Sequence, residues 1–144
     1  MPVLLEVWSA ALAILLSMAI TAIGAPDSAS ANSDRVKRAK DLNSEAAKYE
    51  KGCSGFVSKV LQISWQDANT LMGDKPTYVG VDNNYKGLTA GDVVGWKTEG
   101  GHGHVAIYIG ETDMMFLDVK DENEAPRAVK KGYGPQKLYK SSKY

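Results

Sequence analysis

The sequence predicts an α+β domain, with N-terminal helices packed on an antiparallel sheet. Three observations carry that prediction. Apolar residues first recur at helical spacing, over 33–49 and again from Cys53. After a stretch punctuated by glycine and proline, the pattern changes to short apolar runs of strand length. Tight turn signals join those runs, which sets neighbouring strands antiparallel. With 144 residues there is room for one such domain. Hydrophobic residues make up 44%, enough for a packed core. The 17 basic and 17 acidic residues balance, which argues against a dedicated nucleic-acid binder.

The chain opens with an uncharged apolar run, Val7–Ile23, followed by small residues and the polar stretch APDSASANSD. That order reads as a secretory signal peptide over 1–24, cut near Gly24–Ala25, with a spacer over 25–32 and a single domain over 33–144. No Lys or Arg precedes the run, and Glu6 abuts it. A retained membrane anchor is the alternative, at the short end of a span. The small-residue step and the Ser/Ala-rich spacer favour cleavage, so the expected product is secreted, extracellular and free of the membrane. A monomer is expected.

In the segment 33–49, Val36, Ala39, Leu42 and Ala46 form one stripe of a modest amphipathic helix, capped by Ser33 or Asp34 and broken at Lys51-Gly52. CSGFVSKVLQ restarts a helix, with Phe56, Val57, Val60 and Leu61 on one face, so Cys53 falls at its start. The stretch 64–87 reads as loop, and Trp65, Tyr78 and Tyr85 are candidates for a substrate groove or for packing. Strands follow at Asp92–Trp96, His104–Ile109 and Met114–Val119, with the glycine loop EGGHG before the second and a turn over Gly110–Asp113. Acidic residues crowd Glu111–Glu124. From Arg127 to Tyr144 there are six bases and no acid, interleaved with Tyr133, Tyr139 and Tyr144. Such a run is by default a solvated surface, and alternatively a basic aromatic edge for an anionic polymer.

Cys53 is the only cysteine, so no disulfide can form within the chain, and a lone thiol in an exported protein asks for a chemical reason. A free thiol near pKa ~8.5 is mostly protonated at neutral pH; a helix start and a nearby imidazolium both favour the reactive thiolate. Gly52 and Gly55 flank it and leave room for a substrate chain. Of two histidines, His104 opens a strand and is the better base, while His102 lies in the glycine loop. If Gly110–Thr112 makes the turn, Asp118 stands opposite His104 and can orient its far nitrogen. Asp113 is explained by turn chemistry. His102 and His104, two apart on one strand face, could ligate zinc with Cys53, but no metal-ligand spacing supports that, and no metal or other cofactor is expected.

The blocks CSGFVSKV, LTAGDVVGW and GHVAIYIG, in that order, resemble the signature of NlpC-type papain-like cysteine peptidases. They are similar also to type VI secretion amidase effectors and to the domesticated amidase effectors of ticks. The resemblance implies a papain-like fold, with Cys53 as nucleophile, His104 as base and Asp118 as the third residue, a place that many relatives fill with His, Asn or Gln. Gly91 and Asp92 match a structural Gly-Asp block. Where relatives carry Asp or Asn before the cysteine, this chain has Gly52. The implied activity is hydrolysis of amide bonds in bacterial peptidoglycan peptides, at the D-alanine–diaminopimelate cross-link or the D-glutamate–diaminopimelate bond, with an antibacterial outcome. Two alternatives stand beside it: an acyltransferase or deamidase acting on proteins, and a catalytically inactive cell-wall-binding module.

Overall fold

A computed structural model describes residues 28–81, 84–133 and 136–144. The signal peptide expected over 1–24 lies outside the described residues. The chain divides into two units, Met1–Ala31 and Asn32–Tyr144, and the second carries the sheet and all but the first helix turn.

Helix α1 spans Ser28–Glu45. It takes in residues expected as spacer, because Ala29 and Ala31 carry helical propensity past Ser33. It also stops four residues short of the expected end. Ala46 adopts φ +55°, and the backbone of Tyr49 is drawn away to Glu124: Tyr49 N–H donates to its carbonyl at 3.0 Å. Ala39 is fully buried, with Val36 and Leu42 beside it, as the stripe predicts, but Ala46, its expected fourth member, is exposed past the helix end. Helix α2, Gly52–Val60, buries Phe56, Val57 and Val60 on one face.

The stretch expected as loop contains two elements, helix α3 (Ala68–Met72) and strand β1 (Thr77–Gly80). The helix signal is a side-chain cap, with Asp67 accepting from Thr70 N–H at 2.8 Å. Leu71 and Met72 are its buried residues. Five residues are too few to show periodicity against a background of turn formers.

Strands β2 (Val93–Thr98), β3 (Gly101–Glu111) and β4 (Met114–Asp118) form the expected meander, within two or three residues at their ends. Strand β5 (Arg127–Val129) continues it beside β4, and β6 (Lys137–Lys140) returns across the molecule to sit between β1 and β2. The order is β1-β6-β2-β3-β4-β5, antiparallel throughout. The basic C-terminal run thus gives two strands to the sheet, while Lys130, Lys131, Lys137 and Lys143 stay exposed, as expected of a solvated surface. Tyr139 packs against the core, and Tyr144 packs there too, its hydroxyl donating to Gln66 Oε1 at 3.3 Å.

The sheet buries both faces. Val93, Val105, Ile107 and Leu117 meet the helices on one side. Val94, Trp96, Ala106, Phe116 and Leu138 lie on the other, covered by Tyr85, Leu88, Tyr108 and Tyr133. Asp92 ties α1 to the start of β2, accepting from Asn32 Nδ2 at 3.3 Å and from Thr89 N–H at 2.8 Å. Gly91, at φ +97°, is required there, since a Cβ would come within 2.5 Å of the Asn32 carbonyl oxygen. No helix among the described residues is long and apolar enough to cross a membrane.

Candidate active site

Cys53 lies in the first turn of α2, half-buried, where backbone N–H groups have no carbonyl partner within the helix. The two glycines beside it do not leave space for a substrate. Gly52 adopts φ +61°, and a Cβ there would approach the backbone N of Glu122 to 3.3 Å. Gly55 lies against the Lys51 side chain, whose Cβ would be 3.0 Å from a Cβ at that position. Gly52 thus sets the turn that starts the helix. That also explains why a residue with a carboxylate side chain does not stand before the cysteine: it would be strained in φ and crowded by the 121–122 backbone.

His104 stands on β3 directly across from Trp96 on β2. Its Nε2–H donates to Asp118 Oδ2 at 2.7 Å, which leaves Nδ1 for the Cys53 thiol. The structure brings together all three residues that the sequence singled out, by a register different from the expected one. The turn falls at Thr112–Asp113, not at 110–112, and a bulge between Tyr108 and Glu111 accompanies Gly110 at φ +79°. Ile107 pairs with Leu117, so Asp118 is level with Ala106 and reaches His104 diagonally. A shift of two residues preserves the face, which is why the pair survives the change.

His102 is a different case. A bulge at Gly103, where the β2–β3 register slips between Trp96 and Lys97, breaks the alternation between the two histidines. His104 packs with Trp96 and Tyr133, at ring separations of 5.6 and 4.9 Å. His102 instead packs edge-on to Tyr139 at 5.5 Å, beyond the bulge, and its backbone N–H is held by Asn69. The expectation that the two imidazoles share a face is overturned, and the zinc arrangement goes with it. Burial and the neighbouring Lys97 charge lower the His102 pKa, which favours the neutral ring.

Asp118 is fully buried and meets three donors. Besides His104, the Arg127 Nε–H donates to Oδ1 at 2.9 Å, and the Tyr133 hydroxyl donates to Oδ2. Arg127 Nη2 also donates to the Tyr133 oxygen, which closes the network. Sequence reasoning missed both residues by treating their basic, tyrosine-rich run as surface. Arg127 is the direct cross-strand partner of Asp118, a relation visible only once β5 is known to pair with β4. A buried carboxylate beside the chain's last basic run was the available signal.

The electrostatics follow from these contacts. Burial alone would push Asp118 up, but hydrogen bonds from His104, Arg127 and Tyr133 hold it below the usual carboxylate value. Burial would lower His104, yet its bonds to Asp118 and Cys53 raise it to about 9. Burial likewise opposes ionisation of Cys53, and the His104 hydrogen bond and charge outweigh it, leaving the thiol below its ordinary value. Tyr133 is pushed up by burial and by Asp118, so it remains a neutral donor. The lowered thiol and the raised imidazole both shift the pair toward a thiolate beside an imidazolium, the state that makes a nucleophile and an acid at once.

The three aromatics of the 64–87 stretch divide. Tyr85 packs edge-on to Phe116 at 5.1 Å, and its hydroxyl accepts from Gly132 N–H at 2.8 Å. Tyr78 is exposed on β1, paired across the strand with Tyr139. Trp65 is exposed and anchored to Ser54, next to Cys53.

The family model described as NlpC/P60 matches residues 43–141, which takes in α2, α3, every strand and the three residues above. No curated protein and no solved structure matches the chain. The family match and the helices packed on an antiparallel sheet together make this an α+β papain-like fold. Members of the family are generally cell-wall peptidases acting on peptidoglycan peptides.

Proposed function

The chain belongs to the NlpC/P60 family, and from that premise we propose that it is a cysteine hydrolase of amide bonds in peptidoglycan stem peptides or their cross-links. One observation carries the reading: a histidine fixed by a fully buried aspartate at 2.7 Å, with its other nitrogen toward a thiol at a helix start. The Cys53 thiolate attacks the amide carbonyl. The developing oxyanion is met by the Cys53 N–H, a contact of a kind worth ~10²–10³ in rate. His104 gives its proton to the leaving amine, then takes one from the water that releases the acyl-enzyme. Asp118 holds His104 in the required tautomer and stabilises its charged form. No step calls for a metal.

The reading extends to a secreted antibacterial enzyme of the effector-derived kind. Its support is the apolar run at Val7–Ile23 with the small-residue step after it, together with the resemblance to amidase effectors.

The test is digestion of purified peptidoglycan by the chain from Ala25 onward, with Cys53→Ala alongside and products identified by mass spectrometry. Loss of cross-linked dimers with a gain of monomers identifies a cross-link endopeptidase; shortened stems identify an amidase of the D-glutamate bond. Unchanged fragments with both proteins would reject the reading.

A further inference from the structure

Asp118 is fully buried, and two positive groups share its charge. His104 takes Oδ2 at 2.7 Å, and Arg127 Nε takes Oδ1 at 2.9 Å. The two differ in what they can do. His104 gains and loses a proton in the reaction, whereas a guanidinium has only donors and keeps its charge throughout. The Arg127 side chain is 38% exposed, so part of it stays hydrated while Nε meets the carboxylate. A wholly buried cation would bring a desolvation cost of its own.

Arg127 acts on the same carboxylate a second time, through Tyr133. Its Nη2–H donates to the Tyr133 oxygen, and a donor-only group can be met there only by a lone pair. The hydroxyl proton is thereby turned away from Arg127 and onto Asp118 Oδ2. Both carboxylate oxygens are then held, which fixes the edge that faces His104. The sheet makes this possible: Arg127 is the cross-strand partner of Asp118, and its guanidinium lies 5.9 Å from the Tyr133 ring centre.

We propose that Arg127 is a positioning residue for hydrolysis, one that keeps Asp118 an anion turned toward His104 while the imidazolium gives up its proton. This rests on the hydrolase reading. As the C–N bond of the tetrahedral adduct breaks, the proton on His104 Nδ1 passes to the leaving nitrogen and the ring becomes neutral. Asp118 alone would then be a buried charge without a counter-ion, a state costly enough to hold the proton on His104. With Arg127 in place the carboxylate is paired before and after the transfer, which makes the imidazolium a stronger acid. The groups that face the ring are Cys53 from α2, Asp118 from β4, Tyr133 beyond β5 and the Trp96 indole from β2; Arg127 reaches it through Asp118.

The pH profile of hydrolysis separates this role from a merely structural one. A loosened Asp118 would weaken its bond to His104 and move the alkaline limb below about pH 9. Loss of the guanidinium charge moves it up, because nothing then competes with the imidazolium for Asp118. Arg127→Gln is expected to raise the limb by about one pH unit and to lower kcat several-fold. Arg127→Lys keeps the charge and is expected to leave the limb near its wild-type position. Melting curves check folding, and Arg127→Met takes the place of Arg127→Gln should that variant be unfolded at the assay temperature. A limb that stays or falls when the charge is removed, or that rises as far in Arg127→Lys, overturns the proposal. Should the wild type release no peptidoglycan fragment, the hydrolase reading fails by itself. The hold of Arg127 on the pair is then decided without substrate, by NMR titration of the His104 ring in Cys53→Ala with and without Arg127→Gln, His102→Gln assigning the signals. A midpoint raised by about one unit upholds it; an unchanged or lowered midpoint overturns it.

Discussion

On the helix-covered face of the sheet, Val93, Val105, Ile107 and Leu117 meet Phe56, Val57, Val60 and Leu71, and the contacts are aliphatic or aromatic carbon throughout. On the opposite face, Trp96 and Tyr133 pack on His104, which meets a fully buried carboxylate with three donors. The first face stabilises by removing apolar area from water, which is non-directional and tolerant of small shifts. The second holds a charge out of water, and there each missing partner leaves an uncompensated group. Substitutions on the first face should therefore lower stability and leave the chemistry alone. Substitutions on the second should change the chemistry itself.

The largest effect is expected from Asp118→Asn. The imidazole loses both its orienting acceptor and the charge that keeps it protonated, so hydrolysis should fall by roughly 10³–10⁴-fold. Its pH profile separates this from a simple loss of fold. In the wild type the rate should rise as Cys53 ionises, at a pH below the ordinary thiol value, and fall near pH 9 as His104 loses the proton the leaving amine needs. In Asp118→Asn the alkaline limb should move to lower pH. An unmoved limb would mean that Asp118 does not govern His104. The same raised pKa has a stability consequence: the His104–Asp118 pair stabilises the fold fully below the imidazole's unfolded value of ~6.5 and ceases to do so as pH rises through about 9.

Phe56→Ala should come next, costing about 3–5 kcal/mol of stability as a core cavity does. Denaturant unfolding would measure it, and at temperatures where the protein stays folded the shape of the pH profile should be retained. A displaced profile would show that the faces are coupled through α2. Tyr133→Phe removes one donor from Asp118 while keeping the ring against His104 and Trp96. Its expected cost is about 1 kcal/mol, readable in the melting curve, with a few-fold loss of rate. The smallest effect belongs to His102→Gln. Placed beyond the bulge and packed on Tyr139, His102 has no part in the reaction, and rate and profile should stay as they are. A large loss of rate would reopen the choice of base.

Much of the first face was legible in the sequence. The 3.6-residue spacing of Phe56, Val57 and Val60, and the apolar strands around Val93, Val105 and Leu117, record burial directly. Cys53, His104 and Asp118 were legible too, each by residue type and local place. Their meeting survived an error in register because the error was an even number of residues. An odd slip would have sent the aspartate to the helices, as the single-residue bulge at Gly103 does to the histidine pair.

By itself, then, the sequence determined the local elements, since periodicity, caps and turn formers act within a few residues of one another. It also determined which side chains could do thiol chemistry. Tertiary structure alone decided three things: the insertion of β6 between β1 and β2, the bulge that separates His102 from His104, and the turning of Arg127 and Tyr133 inward onto Asp118. Each depends on hydrogen bonds between residues distant in the chain or on a slip in pairing. A buried carboxylate demands partners, but only the pairing of β5 with β4 settles which residues supply them.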